Sequence, residues 1–128
     1  MPTLSKHAIK IILIILMAVY VFHICIILKF IPYNIAWGGR MKNDNEMYVF
    51  ETISILVNLL LMLVLLMKAS KMKRLLSERN INIILWFFFG LFTLNTIGNL
   101  LAETNFEKGF AALTAVLAGL ILLVLREK

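Results

Sequence analysis

The stretch from Ile11 to Leu28 holds eighteen residues without one acid, lysine or arginine, and it restricts the fold more than any other feature. An apolar run of this length is typical of a transmembrane helix. The whole chain is 62% hydrophobic and 16% charged, whereas soluble domains have about 25% charged residues. The sequence therefore predicts an all-α polytopic membrane protein, a four-helix transmembrane bundle that forms a single domain over residues 1–128. The expected spans are about 11–31, 48–67, 81–102 and 108–125.

Lys6 and Lys10 before the first run also fit the basic region of a secretory signal peptide. The apolar run is longer than the 7–15 residues of a signal core, and no small-x-small cleavage site follows it. We therefore interpret it as the first span and expect it to end near Pro32, because proline lacks the backbone N–H and restricts the residue before it.

The distribution of basic residues predicts the orientation in the membrane. Cytoplasmic loops of membrane proteins carry an excess of lysine and arginine. Nine basic residues lie in the N-terminal segment, the second loop and the C-terminus, against four in the first and third loops. Both termini are therefore expected in the cytoplasm. The compact loops and the lack of a targeting peptide favour a multi-pass protein of the bacterial plasma membrane.

Composition also excludes several classes of function. The net charge of +6 arises at the ends of apolar runs, so it does not indicate nucleic-acid binding. Cys25 is the single cysteine, which excludes an intrachain disulfide, a CxxC redox pair and a cysteine zinc site. Four-span quinone-linked thiol oxidoreductases are thereby excluded. No HxxxH or ExxH spacing occurs, and we expect no metal and no cofactor.

Polar residues of three spans fall in the outer half of the expected bundle. Glu51 and Asn58 lie seven residues apart in the second span, and Asn95 and Asn99 lie one turn apart in the third. His23 lies about 12 Å below the outer end of the first span. Unpaired polar groups cost several kcal/mol in hydrocarbon, so we expect these faces to turn toward one another.

The first loop supplies two further residues that we expect to cover such a pocket. Trp37 and Arg40 flank a Gly-Gly pair, which can adopt turn conformations closed to other residues. A plain hairpin connection is the alternative. The candidate ligand-binding residues are His23, Trp37, Arg40, Glu51, Asn58, Asn95 and Asn99.

Three hypotheses about function follow. The first is the binding or transport of a small polar or amphiphilic ligand in this pocket. The second is an intramembrane enzyme in which Glu51 or His23 moves a proton on a lipid-like substrate. The third is a non-catalytic scaffold subunit. Against all three stands the simpler interpretation that the asparagines only hydrogen-bond between helices, and that Glu51 reaches the interface or pairs with Arg40.

Small residues mark a packing face on the fourth span. Ala111, Ala115 and Gly119 recur every four residues, a spacing that lets a second helix approach closely. The partner is either a helix of the same chain or a second copy, so the stripe predicts a homo-oligomer as one alternative. Membrane lipids are the other expected partners.

Three short motifs, AWGGR, FETIS and NTIGN, carry a resemblance to small four-span bacterial membrane proteins of uncharacterised function. This resemblance implies a membrane bundle and no particular activity. Size and span number also resemble the small multidrug resistance transporters. Those transporters are defined by a glutamate deep in the first span, which this chain lacks.

Overall fold

The computed structural model describes residues 3–31, 43–101 and 105–126 of the chain. Within these ranges the chain forms four helices and no strand. Their bounds are α1 Thr3–Ile27, α2 Asp44–Lys68, α3 Glu78–Leu100 and α4 Asn105–Arg126.

All four helices are long and apolar enough to cross a bilayer. They contain 25, 25, 23 and 22 residues, and about 20 are needed to span the hydrocarbon. Large apolar side chains such as Ile14, Leu56 and Leu94 are more than half exposed. In water such a surface would promote aggregation, whereas in a bilayer it contacts lipid chains. The protein is therefore a multi-pass integral membrane protein, and the predicted fold class is confirmed.

Helix α1 ends before the expected stop at Pro32, because Lys29 takes a left-handed backbone conformation with φ 65°. The N–H of Lys29 donates to the carbonyl of Ile26 at 3.0 Å, and the N–H of Phe30 donates to that of Cys25 at 2.9 Å. These two bonds are the Schellman motif, which caps the free carbonyls of a helix end. This motif is usually built on glycine, so it could not be predicted from a lysine at this position.

Helix α2 ends in the same way. Ser70 has φ 60°, its N–H donates to Met67, and the N–H of Lys71 donates to the carbonyl of Leu66. The starts of α2 and α3 are capped by side chains: Asn43 Oδ1 accepts from the N–H of Glu46 at 2.9 Å, and Ser77 Oγ accepts from the N–H of Asn80 at 3.2 Å. These caps place both helix starts a turn or so before the spans expected from hydropathy.

Consecutive helices are antiparallel, and each packs against two neighbours, with α4 closing the bundle against α1. We call the end with Thr3, Arg126 and the α2–α3 connection the terminal end, and the opposite end the far end. The α3–α4 contact is the most extensive of the four and the α2–α3 contact the least.

Two apolar clusters fill the bundle. The larger one occupies mainly the terminal half, where all four helices contribute fully buried residues. Its largest members are Ile9, Ile12, Leu16, Leu61, Leu65, Ile81, Leu85, Phe88, Leu117 and Ile121. The smaller cluster lies at the far end and consists of Ile26 and Met47 with Phe22, Ile27 and Ile31 around them. His23 on α1 and Glu51 on α2 lie between these two clusters.

Candidate functional site

A histidine and a glutamate meet between α1 and α2. Nδ1 of His23 contacts Oε2 of Glu51, although 28 residues separate them in sequence. Glu51 is completely buried and the His23 side chain is 14% exposed. On α2, Glu51 lies one turn beyond Met47 of the far cluster, and His23 lies one turn before Ile26 of the same cluster. The pair therefore forms a polar layer directly beneath the far-end cluster.

Burial makes this contact important for the fold. A lone carboxylate in a low-dielectric interior is strongly disfavoured, and a neighbouring group that shares a proton or carries the opposite charge offsets that penalty. An imidazole and a carboxylate in direct contact can also exchange a proton with each other. The sequence hypothesis required these two groups to lie within hydrogen-bond reach, and they do.

Asn58 lies on the inward face of α2 and is nevertheless half-exposed. Glu51 precedes it by seven residues and Leu65 follows it by seven, so all three lie on nearly the same helical face. Both neighbours are 0% exposed. Asn58 therefore remains partly accessible between two levels of α2 that are fully buried.

The same pattern occurs on α3. Asn95 follows the fully buried Phe88 by seven residues, and Asn99 follows Phe92, 6% exposed, by the same spacing. Yet Asn95 is exposed and Asn99 half-exposed. Within the described part of the chain, neither side chain makes a hydrogen bond. The face of α3 that is buried at Phe88 and Phe92 is thus accessible at Asn95 and Asn99.

We group the accessible surface beside Asn58, Asn95 and Asn99 under one name, the far-half space. Glu51 and Asn95 each lie about 25 Å along their helices from the terminal end, and so at a similar depth. Asn58 lies about 10 Å deeper than Glu51, just past the middle of α2 toward the terminal end. At these three positions α2 and α3 leave inward-facing amides accessible.

A threonine pair joins α3 and α4 in the same half. Oγ1 of Thr96 and Oγ1 of Thr114 lie 2.8 Å apart, and each also lies within hydrogen-bond distance of a carbonyl of its own helix, Phe92 and Phe110 respectively. Because each hydroxyl has one proton, one threonine donates to the other only by giving up the bond to its own carbonyl. The sequence signal was weak, since threonine in a span more often bonds only its own backbone, as Thr93 does to Phe89.

Tyr20 presents a buried hydroxyl one turn before His23 on α1. Among the described residues, the Tyr20 hydroxyl and the Ser5 hydroxyl are buried without a hydrogen-bond partner. A buried unsatisfied hydroxyl costs about 1–3 kcal/mol. The Tyr20 hydroxyl is thus a polar group in the α1 wall that a bound molecule or water would satisfy.

An apolar cavity of about 160 Å³ lies between α1 and α4. Its walls are Ile15, Ala18, Val19, Phe22, Phe110 and Leu113. Phe22 packs edge-on against the His23 ring and at 5.1 Å between centroids against Phe110. The space is partly open to the outside, and its apolar lining accepts a small apolar group. It is a separate feature from the polar pocket expected from the sequence.

The remaining sequence candidates divide into two groups. Trp37 and Arg40 lie outside the described residues. On α4, Ala111 is buried at 4%, whereas Ala115 and Gly119 are exposed, so the three small residues do not share one surface. The small residue that faces the core is instead Ala118, next to Leu117.

Among the described residues, no three His, Cys, Asp or Glu side chains are grouped as a metal site. No family model, curated protein or solved structure matches the chain. The similarity to small four-span bacterial proteins therefore stays a prediction, and the chemistry of the site rests on its own geometry.

Proposed function

We propose that this membrane protein binds a small polar or amphiphilic ligand in the far-half space and carries it into or across the membrane. One observation supports this proposal most strongly: Asn58 is accessible between two fully buried residues of the same helical face. An open, amide-lined region inside a membrane bundle is costly unless water or a ligand satisfies it. Buried or accessible polar residues inside transmembrane bundles commonly mark ligand pathways.

The polar groups indicate what such a ligand offers. Asparagine amides both donate and accept hydrogen bonds, the Tyr20 hydroxyl lacks a partner, and Glu51 is an acceptor in its ionised form. A ligand with a hydrogen-bonding head, for example an ammonium or amide group, complements this set. The apolar cavity beside Phe22 accommodates a hydrophobic portion, which favours an amphiphile.

Cysteine accessibility tests whether the space is hydrated. In a Cys25→Ala background, Asn58→Cys and Asn95→Cys are expected to react with a small, charged, water-soluble thiosulfonate. Leu65→Cys is the matched buried control on the face of Asn58. Leu56→Cys, whose native residue is 60% exposed to lipid, is the control for surface without water.

Equal reactivity of the cysteines at positions 58, 65 and 56 would contradict a hydrated space. Ligand chemistry is tested by thermal unfolding in detergent with decylammonium and with decanol, which share one chain. We expect decylammonium to stabilise the wild type more than decanol does, and Glu51→Gln to remove that difference, because the buried carboxylate recognises the ammonium.

The same proposal includes a location, the bacterial plasma membrane with both termini in the cytoplasm. It is supported by the excess of basic residues at the terminal end. A reporter fused to the C-terminus that is active only in the cytoplasm tests it, and activity of a periplasmic reporter there would contradict it.

A second candidate function is favoured by the contact between His23 and Glu51. A carboxylate and an imidazole that share a proton can move it to or from a lipid-like substrate in the adjoining space. We expect host membranes with the wild type to contain lipid species that are absent with Glu51→Gln. Thr93→Val is the control, because Thr93 bonds only its own helix; identical lipid profiles for all three proteins exclude this activity.

A further inference from the structure

The two ends of the bundle differ strongly in charge. By sequence position, the terminal end has nine basic and two acidic residues, and the far end has four basic and five acidic residues, the buried Glu51 included. The basic residues of the terminal end are Lys6, Lys10, Lys68, Lys71, Lys73, Arg74, Arg79, Arg126 and Lys128, and its acids are Glu78 and Glu127. One end is thus close to neutral and the other strongly cationic.

The structure leaves most of this positive charge unpaired. Glu78 accepts from Lys68 at 2.6 Å and from Arg74 at 2.9 Å, and Lys68 also donates to Asn82 at 2.8 Å. Six other cations are exposed and, within the described part of the chain, have no acidic partner. They are Lys6, Lys10, Lys71, Lys73, Arg79 and Arg126.

The α2–α3 connection holds part of this charge in a fixed arrangement. The Schellman bonds at Ser70 and Lys71 fix its start, and Met72 and Leu76 pack against the core. The N–H of Leu75 contacts the sulfur of Met67 at 3.3 Å, while the Leu75 side chain is 71% exposed. A leucine is thereby directed outward among basic side chains, the combination by which peptide segments enter the headgroup boundary of a bilayer.

The depth of Lys10 indicates what faces these cations. It is exposed on α1 one turn beyond Lys6, and the apolar span begins directly after it. A lysine at this position extends its ammonium group back to the headgroup layer. The cations therefore lie at the level of lipid phosphates, where basic residues next to a span attract anionic lipid.

We propose that the terminal end binds anionic phospholipids of the adjacent leaflet, with Lys71 and Lys73 on the phosphates and Leu75 inserted into the acyl boundary. Lys6 and Lys10 extend the same cationic surface along α1. This surface lies at the opposite end from the far-half space, so the inference does not depend on the proposed ligand site.

Site-directed fluorescence in nanodiscs tests the proposal on the full chain. In a Cys25→Ala background, Leu75→Cys carries an apolar fluorophore, and lipids with brominated acyl chains quench it on contact. We expect quenching to rise when phosphatidylglycerol replaces part of the phosphatidylcholine. Lys71→Gln should raise the phosphatidylglycerol fraction needed for half-maximal quenching about fivefold, the factor for one basic residue near an anionic surface. Adding Lys73→Gln should abolish the response.

Phe30→Cys provides the matched control, because Phe30 is 76% exposed at the opposite end. Its quenching should not depend on phosphatidylglycerol. The proposal is overturned if both positions respond equally, if the probe at position 75 is insensitive to lipid charge, or if the two glutamine substitutions leave its response intact. An acidic protein as the true partner would give the second of these results. Unchanged helix content by circular dichroism establishes that the variants are folded.

Discussion

Oε2 of Glu51 lies against Nδ1 of His23, and this contact joins α1 and α2 directly beneath the apolar far-end cluster. Toward the terminal end, the same face of α2 carries the partly accessible Asn58 and then the fully buried Leu65. The pair therefore contributes to the fold, and we propose that it also forms part of the ligand site. Its two roles are separable by experiment.

Removing one member of the pair is expected to destabilise the bundle more than removing both. His23→Leu leaves the buried Glu51 carboxyl without this partner, at a cost of about 1–3 kcal/mol. His23→Leu with Glu51→Leu replaces both groups by apolar ones, and we expect it to be at least as stable as His23→Leu alone. Unfolding in mixed micelles measures the free energy of unfolding of these variants. If the losses caused by the two substitutions simply add in the double variant, the two residues are not directly coupled.

The threonine pair between α3 and α4 should show a small but measurable coupling. A double-mutant cycle with Thr96→Val and Thr114→Val is expected to give about 0.6 kcal/mol, the average for hydrogen bonds between membrane helices, with about 1.7 kcal/mol as the upper end. The hydroxyl that donates across the helices gives up the bond to its own carbonyl, which limits the gain. Thr93→Val serves as the control and should change unfolding little; a zero coupling energy in the cycle would mean that the 2.8 Å contact contributes nothing.

Relieving the left-handed conformation at the end of α2 should stabilise the protein. Ser70→Gly is expected to raise the free energy of unfolding by about 1 kcal/mol, because glycine adopts φ near 60° without the steric penalty of a side chain. Ser70→Ala retains a Cβ and should give no gain. If alanine and glycine behave alike in thermal unfolding, the conformation at Ser70 is not the source of strain.

Ala118 and Gly119 are neighbours on α4, and a larger side chain should destabilise the protein only at Ala118. Ala118 is 6% exposed, so Ala118→Leu overpacks the core, and we expect a loss of about 1–3 kcal/mol. A Cβ at Gly119 meets nothing within 4 Å, so Gly119→Leu should leave the bundle intact. Thermal unfolding compares the two, and equal losses would contradict the assigned face of α4.

The Gly119→Leu variant also tests the predicted homo-oligomer. Ala115 and Gly119 face outward, where a second copy can approach, whereas Ala111 is committed to the interior. Disulfide crosslinking of Ala115→Cys in the Cys25→Ala background, with and without Gly119→Leu, measures association directly. A crosslink that Gly119→Leu abolishes would support an interface along this outward face.

Hydropathy by itself determined the fold class, because each of the four runs is long enough to bury its backbone polar groups in a helix across the bilayer. It also predicted the depth of each polar residue, since helical rise converts sequence position into depth. Asn58 nevertheless lies just past the middle of α2, nearer the terminal end. Helix ends were less predictable: Lys29 and Ser70 terminate α1 and α2 through a backbone conformation that carries no residue signature there.

Tertiary structure alone decided which polar groups meet. The sequence offered His23 and Glu51 as one of several possible pairs. Whether they meet depends on how α1 and α2 are rotated about their own axes. Sequence does not determine that rotation, because a membrane helix is apolar on all sides. The same rotation turned Ala118 inward and Gly119 outward, against the regular four-residue spacing of the small residues. It also left Asn58 and Asn95 accessible on inward faces, because only three-dimensional packing decides where neighbouring helices close.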